Sequence, residues 1–246
     1  MASERIYGRH PVLEALRADA EVRKIILAEG QKQSGIIREI LEEAERRGVR
    51  IEWTARGTLD RLVEQGVNHQ GIVAELPPFQ YSSVEEILDR AERLGEAPFL
   101  LLLDGIQDVH NFGALLRTAE AAGMHGVIIP ERRAVGVTPT VYKSSAGAIH
   151  HIPIAQVTNL TRTVKQLKER HVWFVGLDMA GEQVYHEANL SGALGVVLGA
   201  EGSGLSRLVA EICDFLVHIP MKGEVDSLNA SVAGAILIYE ALRQRG

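Results

Sequence analysis

From residue 98 to the carboxyl end, short apolar runs alternate with stretches long enough for a helix, and this alternation most limits what the chain can fold into. Residues 99–104 (Phe-Leu-Leu-Leu-Leu-Asp) form a continuous apolar run, as expected of a strand covered on both faces of a parallel sheet. Further strands are expected at 126–130, 151–155, 172–178, 194–199 and 215–220, with helices at 112–122, 160–170, 206–211 and 228–243. Strands and helices in this alternation predict an α/β fold with a doubly wound parallel sheet.

The preceding residues follow the same logic at smaller scale. Strands are expected at 22–27, 49–53 and 71–76, with a short helix around Leu13 and Leu16 and another at 59–63. Ile37, Ile40, Leu41 and Ala44 recur at helical spacing, and Gly48 is placed to stop that helix. Residues 1–76 therefore read as a small α/β domain, 77–97 as a linker plus helix opening on Pro77-Pro78, and 98–246 as the main domain. With 246 residues and 46% apolar composition, the chain can bury a core without staples. Cys213 is the sole cysteine, which excludes a disulfide framework and a multi-cysteine zinc site. The longest apolar run is too short to cross a bilayer, and residues 1–5 lack the pattern of a secretory leader, so no membrane association is expected.

In doubly wound sheets ligands lie beyond the carboxyl ends of the strands, and three polar or glycine-rich corners fall there. In the first, 104–119, Asn111 stands where a helix N-cap is expected; Leu115, Ala119 and Ala122 form the buried face and Arg117 points to the other side. Taken alone, this is a capped helix with a surface arginine. The second, 198–206, carries part of a dinucleotide fingerprint, but counting from Gly202 the third glycine is replaced by Arg207. Taken alone, it is a turn where glycine lets backbone approach backbone. In the third, 219–235, a strand ends at Pro220 and a polar loop leads to a helix with Ser227 as the expected N-cap. Asn229 and Ser231 then fall in the first turn, Val232, Ile236 and Tyr239 recur at helical spacing, and Ala230, Ala233, Gly234 and Ala235 permit very close packing of a buried terminal helix.

In this order, Asn-Phe-Gly-Ala-Leu-Leu-Arg-Thr-Ala (111–119), Leu-Gly-Ala-Glu-Gly-Ser-Gly-Leu (198–205) and Ile-Pro-Met with Ser-Leu-Asn-Ala-Ser (219–231) resemble the three motifs of the SpoU/TrmH family of RNA ribose 2′-O-methyltransferases. Residues 6–16 (Ile-Tyr-Gly-Arg-His-Pro-Val-Leu-Glu-Ala-Leu) resemble the opening of that family's substrate-binding domain, so nearly the whole chain is covered. The resemblance implies a SPOUT methyltransferase domain with a deep trefoil knot, preceded by an L30e-like α/β domain. It also implies S-adenosyl-L-methionine as cofactor, a homodimer and a cytoplasmic location. The two-domain layout is most similar to members that methylate a guanosine ribose in 23S rRNA.

Carried over residue by residue, the resemblance implies cofactor contacts at Gly199, Ile219 and Leu228, with Ala200, Gly202 and Met221 close by. It places Asn111, Arg117, Glu201, Ser227 and Asn229 at the catalytic centre. A guanidinium holds its proton far above neutral pH. Arg117 is therefore expected to grip the target phosphate and stabilise a developing alkoxide, with Glu201 holding Arg117. RNA contacts are expected from Arg5 and Arg9 in the small domain, Arg132 and Arg133 after the 126–130 strand, and Lys143 in the next loop.

Other readings remain. A tRNA ribose methyltransferase shares the motifs, and a catalytically silent RNA-binding protein shares the fold. A dinucleotide-dependent oxidoreductase is disfavoured by Arg207 and by the lack of a fingerprint after Asp104. His150-His151 sit in an expected strand, where neighbours point oppositely, and no metal site is expected. The formal net charge of −6 excludes a bulk polycation. Half of it lies in 77–97, where Glu85, Glu86, Asp89, Glu92 and Glu96 face Arg90 and Arg93, so local basic surface remains available elsewhere.

Overall fold

The computed structural model describes residues 4–18, 20–32, 35–224 and 227–246, so residues 1–3 of the expected leader-free start and residues 225–226 of the third corner lie outside it. The chain divides into two compact units, residues 1–80 with 137–151, and 81–136 with 152–246.

In the first unit, β1 (Glu4–Tyr7), β2 (Lys24–Ala28), β3 (Arg50–Thr54) and β4 (Ile72–Leu76) form one sheet in the order β1-β4-β2-β3. β2 and β3 are parallel and the other pairings antiparallel. Helices α1 (Arg9–Arg17), α2 (Ile36–Arg46) and α3 (Arg56–Asp60) accompany it. α2 buries Ile37, Ile40 and Ala44 and stops as expected, with Gly48 in the left-handed region at φ 66°. β1 was not expected, because its charged opening hides a strand of which only Ile6 and Tyr7 are buried.

Residues 137–151, expected in the main domain, instead join this unit. They contain α6 (Pro139–Ser144), capped by the Thr138 hydroxyl, and a 3₁₀ turn, Ala148–His150. Tyr7 Oη and Thr140 Oγ1 lie 3.2 Å apart, and a Cβ on Gly147 would press on Glu14. His150 therefore sits in a turn rather than a strand, packed on the Tyr142 ring.

In the second unit, β5 (Phe99–Asp104), β6 (Gly126–Pro130), β7 (Ile154–Val157), β8 (Trp173–Leu177), β9 (Gln183–Val184), β10 (Leu194–Gly199) and β11 (Phe215–His218) form one sheet. Its order is β7-β6-β5-β10-β8-β11-β9, and every pairing is parallel, as expected. α4 (Val84–Leu94), α5 (Val109–Ala121), α7 (Leu160–Lys168), α8 (Arg207–Ile212) and α9 (Ala230–Arg245) complete the unit. α4 opens with a capping box, Ser83 and Glu86 exchanging hydrogen bonds, and ends on left-handed Gly95. Its Ile87 enters the core with Leu100, Leu102, Ile128 and Phe174, against Gly126, where a Cβ would collide with it.

α9 packs closely at Gly234, as expected, and the Val232–Ile236–Tyr239 stripe is not the face it buries. Gly234, Leu237, Ile238 and Ala241 are buried, while Val232 and Tyr239 are about half exposed (49% and 48%). Gly234 decides this: a Cβ there would collide with Leu198 and Leu115, so only this face approaches the sheet and α5 closely. No helix among the described residues is long and apolar enough to cross a membrane.

Candidate functional site

Register brings the three corners together. Gly199 of β10 pairs with Asp104 of β5, Leu198 with Leu177 of β8, and Val217 of β11 with the same Leu177. These strands therefore end at one level of the sheet. From β5 the chain runs outward to β6 and β7, and later strands fill the other side. The β5–β10 junction is thus where strand order reverses, the usual position for a ligand crevice.

A cavity of about 270 Å³ opens at the ends of β8, β10 and β11. Gly199, Ala200, Gly202, Ile219, Met221 and Leu228, the residues expected to hold a cofactor, all line it, together with Glu201 and Ser227. Its wall is largely a tight hairpin. Ala200 and Gly204 exchange backbone hydrogen bonds of 3.1 and 2.9 Å, and Gly202 and Gly204 adopt φ of 82° and 64°. A Cβ on Gly199 would lie inside the Gly204 backbone, so the return of the hairpin requires glycine at that position.

Asp178, just past β8, is part of the site, although no motif in the sequence marks it. It lines the cavity, and its carboxylate accepts from the N–H of Ala180 (2.9 Å) and Leu205 (3.4 Å), tying the β8 loop to the hairpin. The available signal was its place at the polar end of an apolar strand. Asp104 does similar work beyond β5, accepting from Ser206 N–H at 2.7 Å.

Three of the expected catalytic residues form one network. Asn111 Nδ2 donates to Glu201 Oε2 at 3.1 Å, and Asn229 Nδ2 donates to Asn111 Oδ1 at 2.9 Å and to Glu201 Oε1 at 3.5 Å. Two expectations change here. The N-cap of α5 is Asp108, which accepts from the N–H of His110 and Asn111, freeing the buried Asn111 side chain to point at Glu201. The N-cap of α9 is Asn229, not Ser227: its Oδ1 accepts from Ser231 N–H, Val232 N–H and the Ser231 hydroxyl. Those bonds fix the amide so that its NH₂ faces Asn111 and Glu201.

The expected pairing of Glu201 with Arg117 does not form. Arg117 lies six positions beyond Asn111, about 1.7 turns, so the face carrying Asn111 to Glu201 carries Arg117 elsewhere. Among the described residues Arg117 is exposed and has neither an ion pair nor a hydrogen bond from its side chain.

The expected RNA contacts fall into two groups. Arg132 and Arg133 are exposed in the turn after β6; the Arg133 carbonyl and Ala200 Cβ both border Gly105, which puts that turn beside the hairpin. Lys143 is exposed on α6 in the first unit. Arg5 pairs with Glu75 at 3.3 Å and donates to the Leu62 carbonyl, and Arg9 donates to the Gln70 carbonyl and Gln31 Oε1. No group of histidines, cysteines or carboxylates among the described residues is arranged to hold a metal. Burial pushes the Cys213 thiol up to about 12, away from the thiolate form.

Comparison with known proteins identifies both units. Residues 98–239 match the SpoU rRNA methylase family, and residues 5–82 match the substrate-binding domain of RNA 2′-O ribose methyltransferases. The chain is 43% identical over 240 residues to YacO of Bacillus subtilis, named for the TrmH family of tRNA/rRNA methyltransferases, covering 98% of this chain and 95% of that one. The crystal structure of the SpoU methyltransferase AviRb from Streptomyces viridochromogenes, in complex with the cofactor AdoMet, superposes with a TM-score of 0.82 at 27% identity, covering 98% of this chain and 90% of that one. An RNA 2′-O ribose methyltransferase structure superposes at 0.76 and 26% identity, covering 98% and 88%.

Proposed function

Since the chain belongs to the SpoU family of S-adenosylmethionine-dependent RNA methyltransferases, we propose that it methylates the ribose 2′-oxygen of a guanosine in 23S rRNA. The observation that carries this reading is the cavity. The small residues at 199–204 leave room for a nucleoside to lie against backbone, and the Glu201–Asn111–Asn229 network stands at its edge. The donor set fits S-adenosylmethionine: backbone N–H and C=O groups for the adenine, apolar Ile219, Met221 and Leu228 around it, and no cationic side chain among the described lining residues to oppose a sulfonium. When bound, the cofactor supplies a methyl group already activated on sulfur.

The protein's own residues position the acceptor. Asn111 and Asn229 hold the Glu201 carboxylate in one orientation, and Ser227 borders the same cavity. Arg117, free of internal partners among the described residues, grips the target phosphate and stabilises negative charge developing on the 2′-oxygen. Arg132, Arg133 and Lys143 offer further phosphate contacts, and Arg9 keeps guanidinium donors beyond the two used within its unit. A 2′-hydroxyl acceptor makes the substrate RNA rather than DNA. A knotted path through the second unit is a further part of this reading, supported by the lack of Cβ room at Gly199 and Gly234.

Two copies pair through the exposed face of α9 that carries Val232 and Tyr239. Replacing both with glutamate should convert a dimer to a monomer in light scattering; a mass unchanged by the double substitution refutes this interface. The substrate is tested by incubating the protein with labelled S-adenosylmethionine and unmodified 23S rRNA or tRNA, then mapping the methylated ribose. Label at one guanosine of 23S rRNA supports the reading. Label only on tRNA moves the substrate, a reading kept in play by the tRNA/rRNA naming of YacO. No label on either RNA overturns the enzymatic assignment.

A further inference from the structure

The cavity has an uneven charge balance. Two lining residues, Asp178 and Glu201, are carboxylates, and none of the described lining residues is cationic. Neither carboxylate is neutralised by an ion pair among the described residues. Asp178 is held by the N–H groups of Ala180 and Leu205, and Glu201 by the amides of Asn111 and Asn229. These are neutral donors, which orient the carboxylates and leave their charge in place. The carboxylates also come from different strand ends, Asp178 after β8 and Glu201 after β10, so negative charge borders the cavity on two sides.

We propose that this cavity selects its ligand by charge, with Asp178 and Glu201 favouring a sulfonium nucleoside over the neutral thioether that remains after methyl loss. The inference rests on the S-adenosylmethionine reading above. The two ligands differ by one methyl group and one unit of positive charge, and an analogue that carries the charge without the sulfonium methyl separates the two contributions. Unit charges about 4 Å apart attract by roughly fivefold in an equilibrium constant even in bulk water, and less at longer range. A preference of about fivefold for the sulfonium follows, falling as salt rises. The spent ligand is then held less tightly than the fresh one, which favours exchange without any movement of the fold.

The test is calorimetric titration of the whole chain with S-adenosylmethionine, S-adenosylhomocysteine and sinefungin, in which a protonated amine replaces the sulfonium. S-adenosylmethionine and sinefungin should bind more tightly than S-adenosylhomocysteine. Asp178→Asn should shrink that preference at least twofold. Because the substitution also disturbs a hydrogen bond to Ala180 or Leu205, the preference is read rather than the affinity, since structural damage weakens all three ligands together. Met179→Lys gives a second reading: Met179 borders the cavity, is 60% exposed, and takes no part in the Asp178 hydrogen bonds. An added cation there should also lower the preference. Equal binding of sulfonium and thioether, or a preference unmoved by both variants, overturns charge selection and leaves the cofactor assignment standing. Failure of all three ligands to bind overturns the cofactor assignment and this inference with it.

Discussion

Replacing Asn229 by aspartate separates two jobs that one amide performs. Its Oδ1 caps α9, accepting from Ser231 N–H at 3.0 Å, Val232 N–H at 3.4 Å and the Ser231 hydroxyl at 2.6 Å. An aspartate keeps these bonds, and its charge at a helix N-terminus adds about 0.3–1 kcal/mol. The Nδ2 side fares differently. It donates to Asn111 Oδ1 at 2.9 Å and to Glu201 Oε1 at 3.5 Å, so the substitution sets oxygen against oxygen and carboxylate against carboxylate. Losing the first bond costs about 1 kcal/mol. The charges repel by about 1 kcal/mol at 4 Å in water and about 4 kcal/mol at an effective dielectric of 20; both residues are exposed, which favours the lower figure. Asn229→Asp is therefore expected to destabilise the fold by about 1–2 kcal/mol at pH 7, and Asn229→Ala, which loses the cap, by a similar amount. Salt distinguishes them. Added salt screens the new repulsion between exposed carboxylates and leaves the loss of a neutral cap unchanged. In urea titrations the deficit of Asn229→Asp should shrink between about 0.05 M and about 1 M salt, while that of Asn229→Ala stays constant. A deficit in Asn229→Asp that does not change with salt, or no deficit at all, refutes the claim that this amide faces the Glu201 carboxylate.

Arg117→Ala should leave stability within about 0.5 kcal/mol, because the side chain has no internal partner among the described residues, yet reduce methyl transfer by about 100-fold or more. Single-turnover rates at saturating RNA check this, and a wild-type rate refutes the role given to Arg117. Gly199→Ala would drive a Cβ into the Gly204 backbone and should cost about 3 kcal/mol or more, with loss of nucleoside binding; a variant with the wild-type melting temperature contradicts the hairpin packing. Burial holds His150 down to about 4, so the unfolded chain takes up its proton first as the pH falls below about 6.5. Stability contributed by neutral His150 is full above pH 6.5 and is lost toward pH 4. His150→Phe should flatten that acid limb, leaving the smaller slope from His125, also held down by burial; a limb parallel to wild type contradicts the assignment.

How far the molecule could be read from its sequence depends on where each residue's partners lie. β5, β6 and β10 have the expected bounds because strands covered on both faces are apolar throughout, and their limits show as changes of composition. β9 is two residues long and α6 only six, too short for any periodicity to register. Residues 232–239 of α9 are apolar all round, so a helical stripe can be drawn on either face, and only the neighbours of Gly234 choose between them. The cavity-lining residues at 199–202, 219, 221 and 228 are recognisable because each belongs to a motif that is continuous in the chain. Asp178 is not, since nothing in its own segment marks it. Its meaning comes from the pairing of Leu198 with Leu177, which sets the end of β8 beside a hairpin more than 20 residues further along. The same principle governs the failed Glu201–Arg117 pairing. Both residues sit in motifs, but which one faces Glu201 depends on where α5 begins. Asp108 sets that by capping the helix, which turns Asn111 inward and leaves Arg117 exposed, available to a partner outside the chain.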